Sequence, residues 1–248
     1  MAGMRIKVIN PNTTESMTGK IGQAARAAAA PGTEIVAVSP TGGPESIEDH
    51  YDEAYAVPGL LGEVRIGETQ GCSGYVIACF GDPGLDAARE IARGPVIGIA
   101  EAAMHAASFV STGFSVVTTL ERTCVMARRL ADRYGFRDVC RGVRGTDLPV
   151  LELENPQSGA YGRILDECRS ALNEDKSGAI VLGCAGMADL CANLSKELGV
   201  PVIDGVAAAV KFVEALVSMG LVTSKHGDYA APIPKKYTGA FAGFAPRG

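Results

Sequence analysis

The stretch "SGYVIACFG" at residues 73–81 returns later in the chain, slightly altered, as "SGAIVLGCAG" at 177–186. Two further pairs keep the same order. "GPVIGIAEAA" (94–103) resembles "VPVIDGVAAA" (200–209), and "IKVINPNTT" (6–14) corresponds to "FSVVTTLERT" (114–123). A spacing of roughly a hundred residues is too long for a solenoid, so it reads as two copies of one folding unit. Each copy is built from short β-rich apolar runs: "RIKVIN" (5–10), "EIVAVS" (34–39), "YVIAC" (75–79) and "PVIGIA" (95–100) in the first. The second has "FSVVTT" (114–119), "AIVLGC" (179–184) and "PVIDG" (201–205). Residues 13–30, 82–94 and 120–135 carry helical periodicity between them. Continuous apolar strands interleaved with helices predict an α/β fold of two pseudo-symmetric lobes, each a mostly parallel sheet covered by helices.

In both copies a cysteine, Cys79 or Cys184, falls at the C-terminal end of the central strand. Ligands of open α/β sheets bind at that end. Burial is the ordinary explanation for one strand-end cysteine. Packing does not require the same thiol at matching strand ends, and a cleft between the lobes would face Cys79 from one wall and Cys184 from the other. The other five cysteines (72, 124, 140, 168, 191) have no such counterpart and read as packing residues.

Composition narrows the function further. A net charge of -5 leaves no basic excess for nucleic acid. The longest apolar stretches, such as "GAIVLGCAGMADL" (178–190), are broken well short of the length of a membrane span. "MAGMRIKVIN" enters a strand at once without the plan of a signal peptide, which predicts a cytoplasmic protein with reduced thiols. No CxxC is present and the three histidines are scattered, so no metal site is expected. A nucleotide-binding module is disfavoured too. No G-x-G-x-x-G follows the first strand, the second ends in Ser39-Pro40, and there is no Walker A pattern. A thiol redox sensor would require the two cysteine Cα atoms to lie within about 7 Å.

"INPNTT" (9–14), "VIACFGDPGLDAARE" (76–90), "GPVIGIAEAAMH" (94–105), "VVTTLERT" (116–123), "AIVLGCAGM" (179–187) and "PVIDGVAAAVK" (201–211) together resemble the hydantoin racemase group of the aspartate/glutamate racemase superfamily. Within that group the likeness is to bacterial allantoin racemases. It runs from Met4 to about Gly243. The resemblance implies a cofactor-free site between two lobes, Cys79 and Cys184 as the two acid/base residues, and a homo-oligomer. It also implies that lobe 1 recruits the C-terminal segment, giving 1–99 plus 207–248 for lobe 1 and 100–206 for lobe 2.

Two thiols suit this chemistry. A carbon acid beside a carbonyl is inverted by taking its proton from one face and returning one to the other, so one wall needs a thiolate and the other a thiol. A helix starting just after each cysteine would favour the thiolate. Asp82-Pro83 reads as an N-cap and first-turn pair that competes with Cys79 for that helix end, so Cys184 is expected to have the lower pKa. Backbone N–H groups near Phe80-Gly81 and Ala185-Gly186 are candidates for holding an enolate oxygen. Asn10, Thr118 and Thr119 end strands on the same rim and are candidate substrate contacts, with Ser39 a weaker one. Asn12 with Glu15 reads as a helix-capping pair. The segment 41–59 reads as a glycine-hinged loop and acidic helix, a solvated face or a lid, and the tail 224–248 as irregular chain.

Amino-acid racemases of this superfamily follow the catalytic cysteine with Asn-Thr, whereas the followers here are Phe80-Gly81 and Ala185-Gly186. That departure points to a neutral ring such as a hydantoin, and the resemblance puts allantoin first and 5-alkyl or 5-aryl hydantoins second. The alternatives are an aspartate/glutamate-type racemase and a cysteine-dependent isomerase or decarboxylase of the same superfamily.

Overall fold

The computed structural model describes residues 3–155 and 157–246. Eight strands form two fully parallel four-stranded sheets of identical order. The first comprises β1 (Arg5–Ile9), β2 (Glu34–Val38), β3 (Gly74–Ile77) and β4 (Val96–Gly98), arranged β2-β1-β3-β4. The second comprises β5 (Phe114–Thr118), β6 (Cys140–Gly145), β7 (Ala179–Leu182) and β8 (Val202–Ile203), arranged β6-β5-β7-β8. The repeated motifs therefore fall on equivalent strands: β1 with β5, β3 with β7, β4 with β8. The central strands β3 and β7 are buried at every position, as strands covered on both faces must be.

Among the described residues eight α-helices cover the sheets: α1 (Glu15–Ala28), α2 (His50–Thr69), α3 (Leu85–Ile91), α4 (Ile99–Val110), α5 (Cys124–Arg133), α6 (Ala160–Glu174), α7 (Cys191–Leu198) and α8 (Gly205–Ser218). α4 and α8 join the halves. The chain leaves β4 through α4, which packs on β7, and leaves β8 through α8, which packs back on β3 and β4. The two helices pack side by side, and the largest apolar cluster draws on both sheets, from Val8 and Val76 to Val116 and Val181.

Sequence and structure part at particular places. The run "PVIGIA" is strand only over 96–98, because α4 starts at Ile99. β6 has no apolar run of its own: "CRGVRG" is an edge strand with a register shift opposite Phe114 and Ser115. The tail is irregular apart from 3-10 turns at Gly227–Tyr229 and Gly239–Phe244, and it folds back on the first half. There Arg65 of α2 donates to the carbonyls of Gly243, Phe244 and Ala245. Among the described residues no helix is long and apolar enough to cross a membrane.

Candidate active site

The C-terminal ends of β1, β3, β5 and β7 face one another across a cavity that opens to solvent. Cys79 and Cys184 both line it. So do Asn10, Phe80, Gly81, Thr118, Thr119 and Ala185, whereas Ser39 and Gly186 do not. Ser39 is excluded by strand order: β2 is an edge strand, and β1 lies between it and the cysteine-bearing β3. Gly186 faces a neighbouring groove with Lys20 and Leu153. No charged side chain lines the cavity among the described residues; its polar groups are amides, hydroxyls and the two thiols.

Each cysteine opens the same tight turn. Asp82 N–H donates to Cys79 O at 3.0 Å, and Met187 N–H donates to Cys184 O at 3.1 Å. In each turn the backbone N–H of the intervening glycine, Gly81 or Gly186, favours the thiolate of its own cysteine. Burial outweighs this effect. The Cys79 thiol is pushed up from the ordinary 9.0 to about 12 by loss of water, and the negative charges of Cys184, Asp82 and Glu53 add to it. Cys184 is pushed up to about 11, again chiefly by burial, with Glu48 and Glu154 adding. All seven cysteines are free thiols.

The helix ends are not as the sequence suggests. Asp82 does not cap the helix after Cys79. α3 starts only at Leu85, behind Gly84 in the left-handed region, and Asp82 turns away to α4. Cys184, by contrast, is itself the N-cap of a 3-10 turn, Ala185–Leu190, that runs into α7. Nor does Asn12 pair with Glu15. Thr13 N–H donates to Pro44 O and Thr14 Oγ1 donates to Glu45 O, which holds both threonines on the 41–45 loop and delays α1 to Glu15. Asn12 is instead a buried lining residue; its Oδ1 accepts from Thr14 N–H at 3.0 Å, and its Nδ2 rests on Met17 Sδ at 3.4 Å. Asn10 Nδ2 donates to Asn12 Oδ1 at 2.7 Å and to Thr18 Oγ1 at 2.9 Å, so its amide orients Asn12. Thr118 Oγ1 donates to Gly183 O at 3.0 Å, bracing β5 against β7. The Thr119 hydroxyl engages no partner among the described residues. Sequence reading missed the roof: Ile47 from the loop before α2, Val150 from the 3-10 turn Val150–Glu154, and Met126 of α5. Those segments meet only in the folded chain.

Two parallel α/β halves thus set a thiol from each against one pocket. The chain belongs to the Asp/Glu/hydantoin racemase family, whose model matches residues 6–213, and it is an isomerase. It is 51% identical over 236 residues to a hydantoin racemase of Rhizobium meliloti, covering 95% of this chain and 98% of that one. It is 49% identical over 241 residues to a hydantoin racemase of a Pseudomonas strain, covering 97% of each. A solved structure titled allantoin racemase from Klebsiella pneumoniae is 58% identical, covers 98% of this chain and 100% of that one, and superposes with a TM-score of 0.96.

Proposed function

We propose that the enzyme inverts C5 of a 5-substituted hydantoin, allantoin foremost, by proton transfer between Cys79 and Cys184. The observation that carries this is the shared cavity: two thiols and no charged side chain among its described lining residues. An aspartate or glutamate substrate would bring an ammonium and carboxylates into a pocket that offers no counter-charge, and an isolated buried charge is strongly unfavourable. A hydantoin brings only amides and one activated C–H. The names of the racemases to which the chain is similar support the same substrate class.

One sulfur, as thiolate, takes the C5 proton from one face, and the C–H electron pair moves onto the adjacent carbonyl oxygen. The opposite thiol then delivers its proton to the other face and is left as thiolate. The enzyme ends with its charge on the other sulfur, ready for the reverse direction. Pushing both thiols up has a use here: the thiolate is scarce but strongly basic once formed. The enolate oxygen is met by the Asn12 amide, parked on the weak acceptor Met17, and by the Thr119 hydroxyl, both of which line the cavity. The exchange of α4 and α8 supports two lobes, 1–99 with 207–248 and 100–206. A homo-oligomer and a cytoplasmic setting complete the reading.

Polarimetry on enantiopure allantoin beside a 5-alkylhydantoin tests the substrate. Cys79→Ser and Cys184→Ser should each cut racemisation by about a thousandfold or more while leaving the circular dichroism spectrum unchanged. A racemically active serine variant would sink the two-thiol mechanism. A parent inert on both hydantoins would sink the substrate.

A further inference from the structure

Helix α4 starts without help from its own N-cap residue, Gly98, which has no side chain to offer. A carboxylate satisfies its first turn from elsewhere in the chain. Asp82 Oδ1 accepts Ala100 N–H at 3.1 Å, and Asp82 Oδ2 accepts Glu101 N–H at 2.9 Å. The second half solves the same problem locally: α8 is capped by Asp204, whose carboxylate accepts Val206 N–H at 2.8 Å and Ala207 N–H at 3.3 Å. In the repeat, Gly98 of "PVIG" stands where Asp204 of "PVID" stands. A Cβ on Gly98 would clash with the carboxyl atoms of Asp82. Glycine leaves the space, and the carboxylate of Asp82 fills it.

Asp82 closes the turn that opens with Cys79. It is 3% exposed and sits in the left-handed region at φ 44, a conformation that Asp tolerates but that needs a reason. Its carboxylate also accepts the hydroxyl of Tyr134, at the end of α5, at 2.7 Å. The residue in the same place after Cys184 is Met187, held by an apolar cluster and by no polar side-chain contact. So the Cys79 turn is fastened by three hydrogen bonds to α4, which leads from its sheet to β7, and to the end of α5 in the second half, while the Cys184 turn has no such side-chain tie among the described residues.

We infer that Asp82 is a positioning residue for Cys79: by capping α4 from the cysteine turn, it ties one thiol-bearing wall of the pocket to the helix that crosses into the other half. The inference rests on the two-thiol reading for its effect on activity, and on geometry alone for its effect on Cys79.

The second half supplies the design of the test. In the variant Asp82→Ala/Gly98→Asp the carboxylate moves to the position used by Asp204. The three nearest atoms to a Cβ at 98 all belong to the Asp82 carboxyl group, which Asp82→Ala removes. The backbone also suits: φ -82, ψ 147 at Gly98 against φ -85, ψ 116 at Asp204. Cap and charge are restored and only the tether is lost. Relative to Asp82→Ala alone, the double variant should recover Tm to within about 2 °C of the parent. Its kcat should stay down by about tenfold or more, with KM little changed. The ratio of Cys79 to Cys184 alkylation by iodoacetamide, read by mass spectrometry within one molecule, should shift by about threefold or more. Recovery of the parent's kcat and labelling ratio along with Tm would reduce Asp82 to a helix cap and overturn the inference. Should the double variant fail to fold, Tyr134→Phe decides, since it keeps the cap and removes one of the three bonds: the labelling ratio should move by about twofold, and an unchanged ratio overturns the inference. The ratio is read without substrate, so a parent inert on hydantoins would sink the substrate reading and leave this one to be judged by its own measurement.

Discussion

The two thiols are unequal, and the inequality has a local cause. Cys79 carries the Asp82 carboxylate three residues on, and Cys184 opens a 3-10 turn with no acid in it until Asp189. Burial pushes Cys79 to about 12 and Cys184 to about 11, so Cys184 holds the larger thiolate fraction at any pH well below both. At pH near 8 iodoacetamide should therefore label Cys184 faster than Cys79, with both rates climbing past pH 10. A plateau by pH 9, or Cys79 reacting first, would contradict the burial argument. The sign for stability follows. A thiol whose folded pKa lies above its unfolded one contributes stability fully present below pH 9.0 and lost as pH rises through 11 to 12. Cys79→Ser and Cys184→Ser should thus each soften the alkaline fall in Tm. Both cysteines were legible because a repeat marks what packing alone would not. Asn12 was misread, since the 41–45 loop that delays α1 is remote from any capping motif.

At the scale of the element, every strand but β6 was legible as a short apolar run. β3 and β7 show themselves as apolar runs, whereas β6, with two arginines and a run of partly exposed positions, has no reason to be apolar. The boundary between β4 and α4 was hidden for a different reason: its cap, Asp82, lies on another loop. α4 and α8 pack so closely at their first turns that a Cβ on Gly205 would stand 2.5 Å from Ile99 O. Gly→Ala in a helix with space to spare gains about 0.4–1 kcal/mol. Here the neighbour is backbone, and overpacking of this kind costs about 1–3 kcal/mol, so the clash wins. Gly205→Ala should lower Tm by several degrees, about 2–4 °C per kcal/mol in a chain of this length. Because Ile99 adjoins the N–H groups held by Asp82, kcat should fall as well. An equal or higher Tm would show that the helices can part freely.

For the molecule as a whole, duplication gave away the two sheets and the place of the pocket, but not what shuts it. The closing contacts join segments far apart in sequence. Glu48 Oε1 accepts Val150 N–H at 2.6 Å, Lys20 pairs with Glu154 at 3.0 Å, and Arg122 meets Asp49 at 3.4 Å. Ile47 and Val150, beside the first of these, form the roof. The contacts are not equal. Arg122 and Asp49 are an exposed pair screened by water, so Arg122→Ala should leave turnover almost unchanged. The Glu48 carboxylate holds a half-buried backbone N–H, a charge-assisted bond worth about 1.5–3 kcal/mol. Glu48→Ala should open the roof and raise KM by about fivefold or more, with kcat changing less. Glu48 also bears on Cys184 electrostatically, pushing its pKa up. Its removal should therefore speed Cys184 alkylation twice over, through easier access and through a larger thiolate fraction. Glu48→Gln separates the two, because it removes the charge while keeping an acceptor for Val150 N–H: labelling should quicken with KM held near the parent's. If Glu48→Ala leaves both KM and Cys184 labelling at parent values, the loop before α2 does not close this pocket, and substrate reaches the two sulfurs by another way.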